Sequence, residues 1–472
     1  MAREYLSDID RALLHLDDPT NLMLITGIMV FKAPIDFERL KATVQVRLLR
    51  MPRFRQRLVW PRLGVDRPYW EDDPNFDLGY HLQRAHLGGR QADDQSALQD
   101  VVSLLASTPL DRSRPLWQFH LIENYAECCA LILRFHHSIA DGVAVNHVIL
   151  SLTDSDPDVP WPTVQPQAPQ QRGAGRMGMA LRSAQSVLTT TRKTTARLVQ
   201  EGVDLLDPPS HLIDAGRTGR DAALDLGRFL LLEPDPGTVL KGELGPDKRA
   251  AWSDGIPLED VKVIRHALGG TVNDVLLTVV AGGLRRYLQD RGDPVDRLSI
   301  RVTVPVNLRP PDREAELGNR VGAVFVPLPI SIADPGCRLS EIVRHMDGRK
   351  ESLEAPVFNA ALHALGHAPA RIANTLINTF STRATAVMTN VRGPQEQRYL
   401  AGSPLDTLLG WVPTTGRMGV GVSVLSYAGE VRLGVLTDEG LVPDPETIVA
   451  GFDAEFEALL AQANTTLTRR KE

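Results

Sequence analysis

Cysteine is scarce in this 472-residue chain, and the placement of its three cysteines excludes two common structural roles. Cys128 and Cys129 are adjacent on a predicted strand, whereas Cys337 lies far along the chain. This spacing matches neither a disulfide framework nor a zinc-binding motif. The cysteines are better explained as small apolar core residues. We therefore expect a cytoplasmic protein.

Long apolar stretches are also missing, which limits how the chain can meet lipid. The sequence contains no run of about 18 consecutive apolar residues, the length that a transmembrane helix needs. Residues 1–14 carry charges throughout and lack the apolar segment of a secretory signal peptide. We expect a protein that is not secreted and that contacts an anionic membrane or lipid droplet only peripherally.

The charge balance argues against a nucleic-acid partner, because the net charge is −6. Hydrophobic residues make up 43% of the chain and charged residues 23%, as in an ordinary globular protein that is long enough for two or more cores. A stretch rich in proline, glutamine and aspartate, residues 154–171, divides the chain. We predict an N-terminal domain over residues 1–155, a linker over 156–235 and a C-terminal domain over 236–472.

The predicted linker contains a basic stretch. There is no acidic residue between Asp158 and Glu201, and residues 177–203 have a helical pattern. The cations of this stretch are Arg172, Arg176, Arg182, Arg192, Lys193 and Arg197. Two interpretations stay open: a solvated helix on the protein surface, or a helix that docks on anionic lipid head groups.

Helical and strand patterns are interleaved in both halves, which predicts an α/β fold with mixed sheets. The predicted helices include 96–105, 142–152, 271–289 and 340–354. The predicted strands include 23–31, 118–123, 129–137, 298–306 and 321–328, with a hairpin formed by 422–427 and 431–436.

Two adjacent histidines end one of the apolar strands, in the stretch RFHHSIADG (Arg134–Gly142). Neighbouring side chains on a strand point to opposite faces, so only one of His136 and His137 can face a given cavity. Asp141 and Gly142 follow where the strand gives way to a helix. The aspartate can cap that helix, and the glycine can leave room for a ligand.

Three interpretations of the histidine pair compete. In the first, both imidazoles bond to backbone groups and serve only the structure. A metal site is less favoured, because adjacent strand residues diverge and no HExxH-like spacing supplements them. In the third, a neutral imidazole is a general base. No GxSxG nucleophile motif is present, so an acceptor hydroxyl would attack its substrate directly.

Several motifs in one order carry a resemblance to a known family. HHSIADG matches the HHxxxDG motif of coenzyme A-dependent acyltransferases and peptide-synthetase condensation domains. Further matching stretches are LSDIDRALLHLDDPTNLM, PLDRSRPLW, TVNDVLL, PVNLR with Gly318-Asn319, TNVRGP and SYAGEVRLGVLTDEGLVPD. Apart from the linker, nearly the whole chain resembles the bacterial wax ester synthase/diacylglycerol acyltransferase family.

The resemblance implies a fold of two chloramphenicol-acetyltransferase-like domains, each a mixed β-sheet with helices, and an active-site tunnel at their interface. It implies acyl transfer from acyl-CoA to diacylglycerol, which gives triacylglycerol, and to long-chain alcohols, which gives wax esters. It implies neither a metal nor an organic cofactor, since acyl-CoA is a substrate. The alternatives are an acyltransferase for another hydroxyl or amine acceptor, and a noncatalytic lipid-binding relative.

The same resemblance assigns roles to the motif residues. His137 would take the proton from the acceptor hydroxyl. The residues that would support its geometry are His136, Asp141 and Gly142. In related folds the aspartate pairs with an arginine, for which Arg301 and Arg309 are both candidates.

Four further residues are candidates to bind substrate or to support the site. Asn273 heads the apolar stripe of the predicted helix 271–289, and a buried amide needs hydrogen-bonding partners. For Asp274, stabilisation of the first helical turn is an equally good explanation. Pro115 and Trp117 are expected to shape and pack a loop beside the site.

Overall fold

The computed structural model describes residues 4–60, 67–87, 94–162, 233–308, 319, 321–347, 354–367 and 379–470. The basic stretch of the predicted linker, residues 177–203, lies outside the described residues, and so do Arg309 and Gly318. The predicted domain limits near 155 and 236 stay predictions.

Helices and strands alternate in the N-terminal part of the chain. The strands are β1 (Glu4–Tyr5), β2 (Leu24–Phe31), β3 (Gln56–Val59), β4 (Tyr69–Asp72), β5 (Leu82–Ala85), β6 (Trp117–Tyr125) and β7 (Cys128–His136). The helices are α1 (Asp8–Leu16), α2 (Phe37–Thr43), α3 (Leu78–His81), α4 (Asp94–Ser107) and α5 (Gly142–Leu152). Asp36 caps α2 by accepting a hydrogen bond from the N–H of Arg39 at 2.8 Å.

The C-terminal part is also mixed. Its strands are β8 (Lys248–Trp252), β9 (Ile256–Pro257), β10 (Ile300–Asn307), β11 (Val321–Leu328), β12 (Ala386–Arg392), β13 (Tyr399–Leu400), β14 (Ser403–Trp411), β15 (Val420–Tyr427) and β16 (Glu430–Asp438). Its helices are α6 (Leu258–Leu268), α7 (Val272–Asp290), α8 (Pro335–Asp347), α9 (Glu354–His367) and α10 (Pro445–Arg469). Among the described helices, none combines by itself the length and the hydropathy of a membrane span.

Two mixed sheets organise the described residues. The first has the order β13-β14-β2-β7-β6-β5, in which β5 runs parallel to β6 and the other pairs are antiparallel. The second has the order β11-β10-β12-β15-β16-β8, with β9 also paired to β16. In it β12 runs parallel to both β10 and β15. The prediction of an α/β fold with mixed sheets is therefore confirmed.

One strand crosses between the two parts of the chain. β14 belongs to the C-terminal part by sequence, yet it pairs antiparallel with β2, from Leu405 opposite Phe31 to Trp411 opposite Thr26. The ring of Trp411 also lies against that of Trp252 in the second sheet, with 5.5 Å between centroids. β14 therefore ties the two sheets together.

The largest difference from the predicted elements concerns α8, which begins at Pro335 and not at the predicted Ser340. Proline suits the first turn of a helix because it needs no donor there, and Oδ1 of Asp334 accepts the N–H of Cys337 at 2.8 Å. Cys337 is exposed in this turn, so the expectation that all three cysteines are core residues is wrong for it.

Helix α1 is held close to α9. Ile9 and Leu13 of α1 pack with Leu362 and Leu365 of α9 in a small hydrophobic cluster. The approach is so close that a Cβ atom on Gly366 would overlap the backbone carbonyl of Asp8. The position of α1, and of every side chain that it carries towards the site, therefore depends on this contact.

Gly366→Ala should destabilise the protein, because a backbone carbonyl cannot rotate away from the added methyl group. Overpacking of this kind costs about 1–3 kcal/mol, which a fall in melting temperature would report. Gly336→Ala in α8 is the matched control, since its methyl group would first meet the flexible end of Gln462. Equal melting temperatures for the two variants would contradict the close contact of α1 with α9.

Candidate active site

The end of β7 is held from both sides by backbone hydrogen bonds. The N–H of His137 donates to the carbonyl of Met23 at 2.8 Å. The N–H of His136 donates to the carbonyl of Leu116 at 2.9 Å. Leu116 belongs to the PLDRSRPLW stretch, so this motif anchors the strand that carries the histidines.

Pro115 and Trp117 lie in the packing around that anchor. Trp117 is completely buried, and its Nε1 donates to the carbonyl of Phe54 at 2.9 Å. Its ring stacks on His81, with 4.6 Å between centroids. Its N–H donates to the carbonyl of Pro115 at 2.9 Å. These contacts fix the loop before β6.

The turn after the histidines leads directly into α5. Oδ1 of Asp141 accepts a hydrogen bond from the N–H of Ala144 at 3.0 Å, which caps the helix. Gly142 is the first helical residue, and a Cβ atom there would meet no atom of the described residues within 4 Å. Open space therefore lies beside the glycine.

His136 is the buried member of the pair, with 2% of its surface exposed. Its Nδ1 accepts the N–H of Ser138 at 3.1 Å, and its Nε2 lies 3.3 Å from Oδ2 of Asp17. Burial opposes ionisation of Asp17, but contacts with His136, Met23 and Arg112 outweigh it and lower the pKa of that carboxyl group to about 2. His136 is thus packed beside a charged carboxylate.

His137 lies in different surroundings and remains half-buried. Its Nδ1 is 3.0 Å from Oδ1 of Asn319. Burial lowers the pKa of His137 below its ordinary value of 6.5, because it disfavours the charged ring, although the negative charge of Asp141 acts in the opposite direction. A neutral imidazole held in this way can accept a proton from a hydroxyl group.

Asn319 and Asp10 are buried polar residues at the site to which the sequence analysis assigned no role. Nδ2 of Asn319 donates to Oδ1 of Asp10 and to the carbonyl of His137, both at 2.8 Å. Each side chain is 7% exposed. Both lie in motifs that carry the family resemblance, Asp10 in LSDIDRALL and Asn319 in Gly318-Asn319. Their place in these motifs was the only feature of the sequence that could have pointed to the two residues, since no local sequence pattern links Asp10 to Asn319.

Asn273 and Asp274 lie at the start of α7. Oδ1 of Asn273 accepts a hydrogen bond from Nδ2 of Asn390 at 3.0 Å, which joins the TVNDVLL and TNVRGP motifs. Asp274 forms a capping box with Thr271, whose N–H donates to Oδ2 at 2.8 Å. No hydrogen bond among the described residues joins either side chain to His137.

Of the two arginines considered as partners of Asp141, Arg301 forms its described ion pair elsewhere. Its Nε lies 2.7 Å from Oδ1 of Asp235, and its N–H donates to the same carboxylate at 2.7 Å. Arg309 lies outside the described residues.

Comparison with known families agrees with the motifs. The family model described as the wax ester synthase/diacylglycerol acyltransferase catalytic domain matches residues 6–276, which is more than half of the chain. The chain belongs to this family. The C-terminal domain of the same family matches residues 317–460. Both the predicted family and the predicted acyltransferase class are confirmed.

Known relatives align with nearly the whole length of this chain. A candidate diacylglycerol O-acyltransferase of Mycobacterium tuberculosis (strain CDC 1551 / Oshkosh) is 29% identical over 485 residues, which cover 97% of this chain and 90% of the relative.

The fold also occurs in solved structures. The wax ester synthase/diacylglycerol acyltransferase from Marinobacter aquaeolei VT8 has a TM-score of 0.68 and 21% identity, and the alignment covers 98% of this chain and 100% of that one. The first condensation domain of the calcium-dependent antibiotic synthetase has a TM-score of 0.60 and 15% identity, with 98% and 96% covered. The predicted fold of two chloramphenicol-acetyltransferase-like domains is confirmed, while the tunnel between them stays a prediction.

Asp141→Ala should lower the melting temperature, because the N–H of Ala144 loses its hydrogen-bond partner. Loss of such a cap costs about 0.5–2 kcal/mol. Asp141→Asn is the matched control, since asparagine caps a helix about as well as aspartate. A melting temperature of the alanine variant equal to that of the wild type would contradict the capping role.

Proposed function

We propose that the chain transfers the acyl group of acyl-CoA to the hydroxyl group of diacylglycerol or of a long-chain alcohol, with His137 as the general base. The products are triacylglycerol and wax ester. Family membership supports the reaction class. The main support for the base is the half-buried imidazole of His137, whose pKa burial lowers and whose Nδ1 lies against Asn319.

The reaction needs one base and no metal or organic cofactor. His137 takes the hydroxyl proton as the acceptor oxygen bonds to the thioester carbonyl carbon. The carbonyl oxygen becomes an oxyanion, which hydrogen-bond donors stabilise. When the oxyanion collapses, the carbon–sulfur bond breaks, and the departing thiolate takes the proton back from the imidazolium. Ester and free coenzyme A leave, and His137 is neutral again.

The supporting residues have distinct parts in this proposal. His136 packs beside Asp17 and keeps the end of β7 in place. Asp141 caps α5, and its negative charge favours the imidazolium that forms during the reaction. Gly142 leaves open space beside the helix start, where substrate can approach. Asn273 with Asp274, and Pro115 with Trp117, support the surrounding structure.

The proposal includes peripheral contact with an anionic membrane or lipid droplet. Diacylglycerol and long-chain alcohols are concentrated in such phases. The support comes from the sequence, in which the stretch between Asp158 and Glu201 carries several cations and no acidic residue.

His137→Ala should abolish most of the activity while leaving the fold intact, because removal of a general base costs about 10²- to 10⁴-fold in rate. Thiol release from acyl-CoA in the presence of diacylglycerol, hexadecanol and water-soluble alcohols or amines measures both the rate and the acceptor. The matched control is His266→Ala, since His266 is exposed on α6.

Three results would contradict the proposal. A His137→Ala variant as active as the wild type would remove the base. Activity confined to water-soluble acceptors would keep the base and reject the lipid acceptor. A folded wild-type protein without thiol release on any acceptor would point to a noncatalytic lipid-binding protein.

The pH dependence follows from the sign of the His137 shift. The base must be neutral, so kcat/KM should rise as the pH is raised through the pKa of His137, and the midpoint should lie below 6.5. Asp141→Asn removes a negative charge that raises this pKa, so the midpoint should move to lower pH. A pH–rate profile of both proteins checks this, and a midpoint that rises in the variant would contradict it.

A further inference from the structure

We infer that Asn319 is a positioning residue whose amide determines which ring nitrogen of His137 is free to accept a proton. The inference rests on the proposed function, in which this imidazole is the base. It is carried by three hydrogen-bond contacts of a single amide group.

The orientation of the Asn319 amide follows from its neighbours. Nδ2 lies 2.8 Å from both the carbonyl oxygen of His137 and Oδ1 of Asp10. The main-chain carbonyl oxygen of His137 has no proton to give and can only accept, whatever the protonation state of Asp10. A reversed amide would place its own oxygen against these two oxygens. The NH₂ group therefore faces Asp10 and the main chain, and Oδ1 faces the imidazole.

This orientation selects the tautomer of His137. Oδ1 of Asn319 can only accept a hydrogen bond, and it lies 3.0 Å from Nδ1 of the ring. Nδ1 therefore carries the proton and donates it. In a neutral imidazole the other nitrogen, Nε2, is then left with a free lone pair. Nε2 is the atom that accepts the proton of the incoming hydroxyl group.

The same amide also fixes the angle of the ring. It bonds to the side chain and to the main-chain carbonyl of one residue, His137, so that a rotation of the imidazole would break one contact while the other holds. Asn319 is 7% exposed, which keeps water from competing for these bonds. The ring is thus oriented before any substrate arrives.

Asp10 fixes the Asn319 amide by accepting a hydrogen bond from its Nδ2. It lies on α1, whose first turn is capped by Ser7, which accepts the N–H of Asp10 at 3.1 Å. Burial raises the pKa of Asp10, while the hydrogen bonds from Asn319 and Ser7 and the positive charge of Arg53 act in the opposite direction. The opening LSDIDRALL motif therefore contributes one side chain to the site. This side chain, Asp10, reaches His137 only through Asn319.

Other charged or titratable groups also act on the imidazole. The carboxylate of Asp141 raises the pKa of His137, and His136 lowers it. The positive charge of Arg53 acts to lower the pKa of Asp10, which contacts the Asn319 amide. None of these three residues is substituted in the variants below. A change in the titration of His137 therefore results from the substitutions at residues 10 and 319.

The first experiment removes the amide. Asn319→Leu has a similar volume and no polar atoms, and we expect kcat to fall by about 100-fold with the KM for acyl-CoA little changed, as for a misoriented catalytic group. Asn21→Leu is the matched control, because Asn21 is also 7% exposed and donates to the carbonyl of Thr414 at 2.7 Å. Asn21→Leu should lower the melting temperature without this loss of kcat.

The second experiment exchanges the two side chains. In the double variant Asp10→Asn/Asn319→Asp a carboxylate accepts the Nδ1 proton of His137 and a hydrogen bond from the amide at position 10, while the carbonyl of His137 loses the donor that Nδ2 of Asn319 supplied. A carboxylate in direct contact favours the charged ring, so the acid limb of the kcat/KM profile should move to higher pH than in the wild type. This shift reports that the side chain at position 319 contacts the ring, and the loss of kcat in Asn319→Leu reports that the amide positions it.

The outcomes separate this inference from the function on which it rests. Loss of kcat in Asn319→Leu with an upward shift in the double variant supports the positioning role. If Asn319→Leu does not fold, the smaller change Asn319→Ala is measured in its place, with the same expected loss of kcat. An unshifted profile, or full kcat in a folded Asn319→Leu, overturns the positioning role while an inactive His137→Ala still upholds the base. An active His137→Ala overturns the base itself.

Discussion

The proposed site depends on the hydrogen bond between His137 and Asn319, because a base at this position would have to meet two opposing electrostatic requirements. Burial keeps the imidazole of His137 neutral by lowering its pKa, yet the same burial disfavours the imidazolium that must form when a proton arrives. The charge of Asp141 partly offsets this cost. In the proposed mechanism a neutral amide partner orients the ring without adding a second negative charge in contact with it, so the uncharged ring can act as the base.

The two adjacent histidines differ in their burial and in their partners. His136 receives the N–H of Ser138 on Nδ1, so its proton lies on Nε2 and faces Asp17. By our inference His137 has the opposite arrangement, with its proton on Nδ1 against Asn319. The carboxylate is therefore paired with the buried histidine, and the amide with the half-buried one. Two identical side chains acquire different chemistry from the bonds around them.

Sequence reasoning succeeded where the information was local. The spacing after the two histidines predicted a helix that Asp141 can cap, and both the helix and the cap are present. It could not pair residues that are remote along the chain. Asn319 is 182 residues from His137 and 309 from Asp10, and no periodicity of a single sequence encodes such contacts. The pairing of β14 with β2 was missed for the same reason.

The β14 strand has a consequence for synthesis of the protein. β2 and β7 emerge early from the ribosome, but the strand that covers the other edge of β2 ends at Trp411. During most of translation that edge offers unsatisfied backbone donors and acceptors, which are prone to pair with other nascent chains. The first sheet is therefore completed only after β14 has been synthesised.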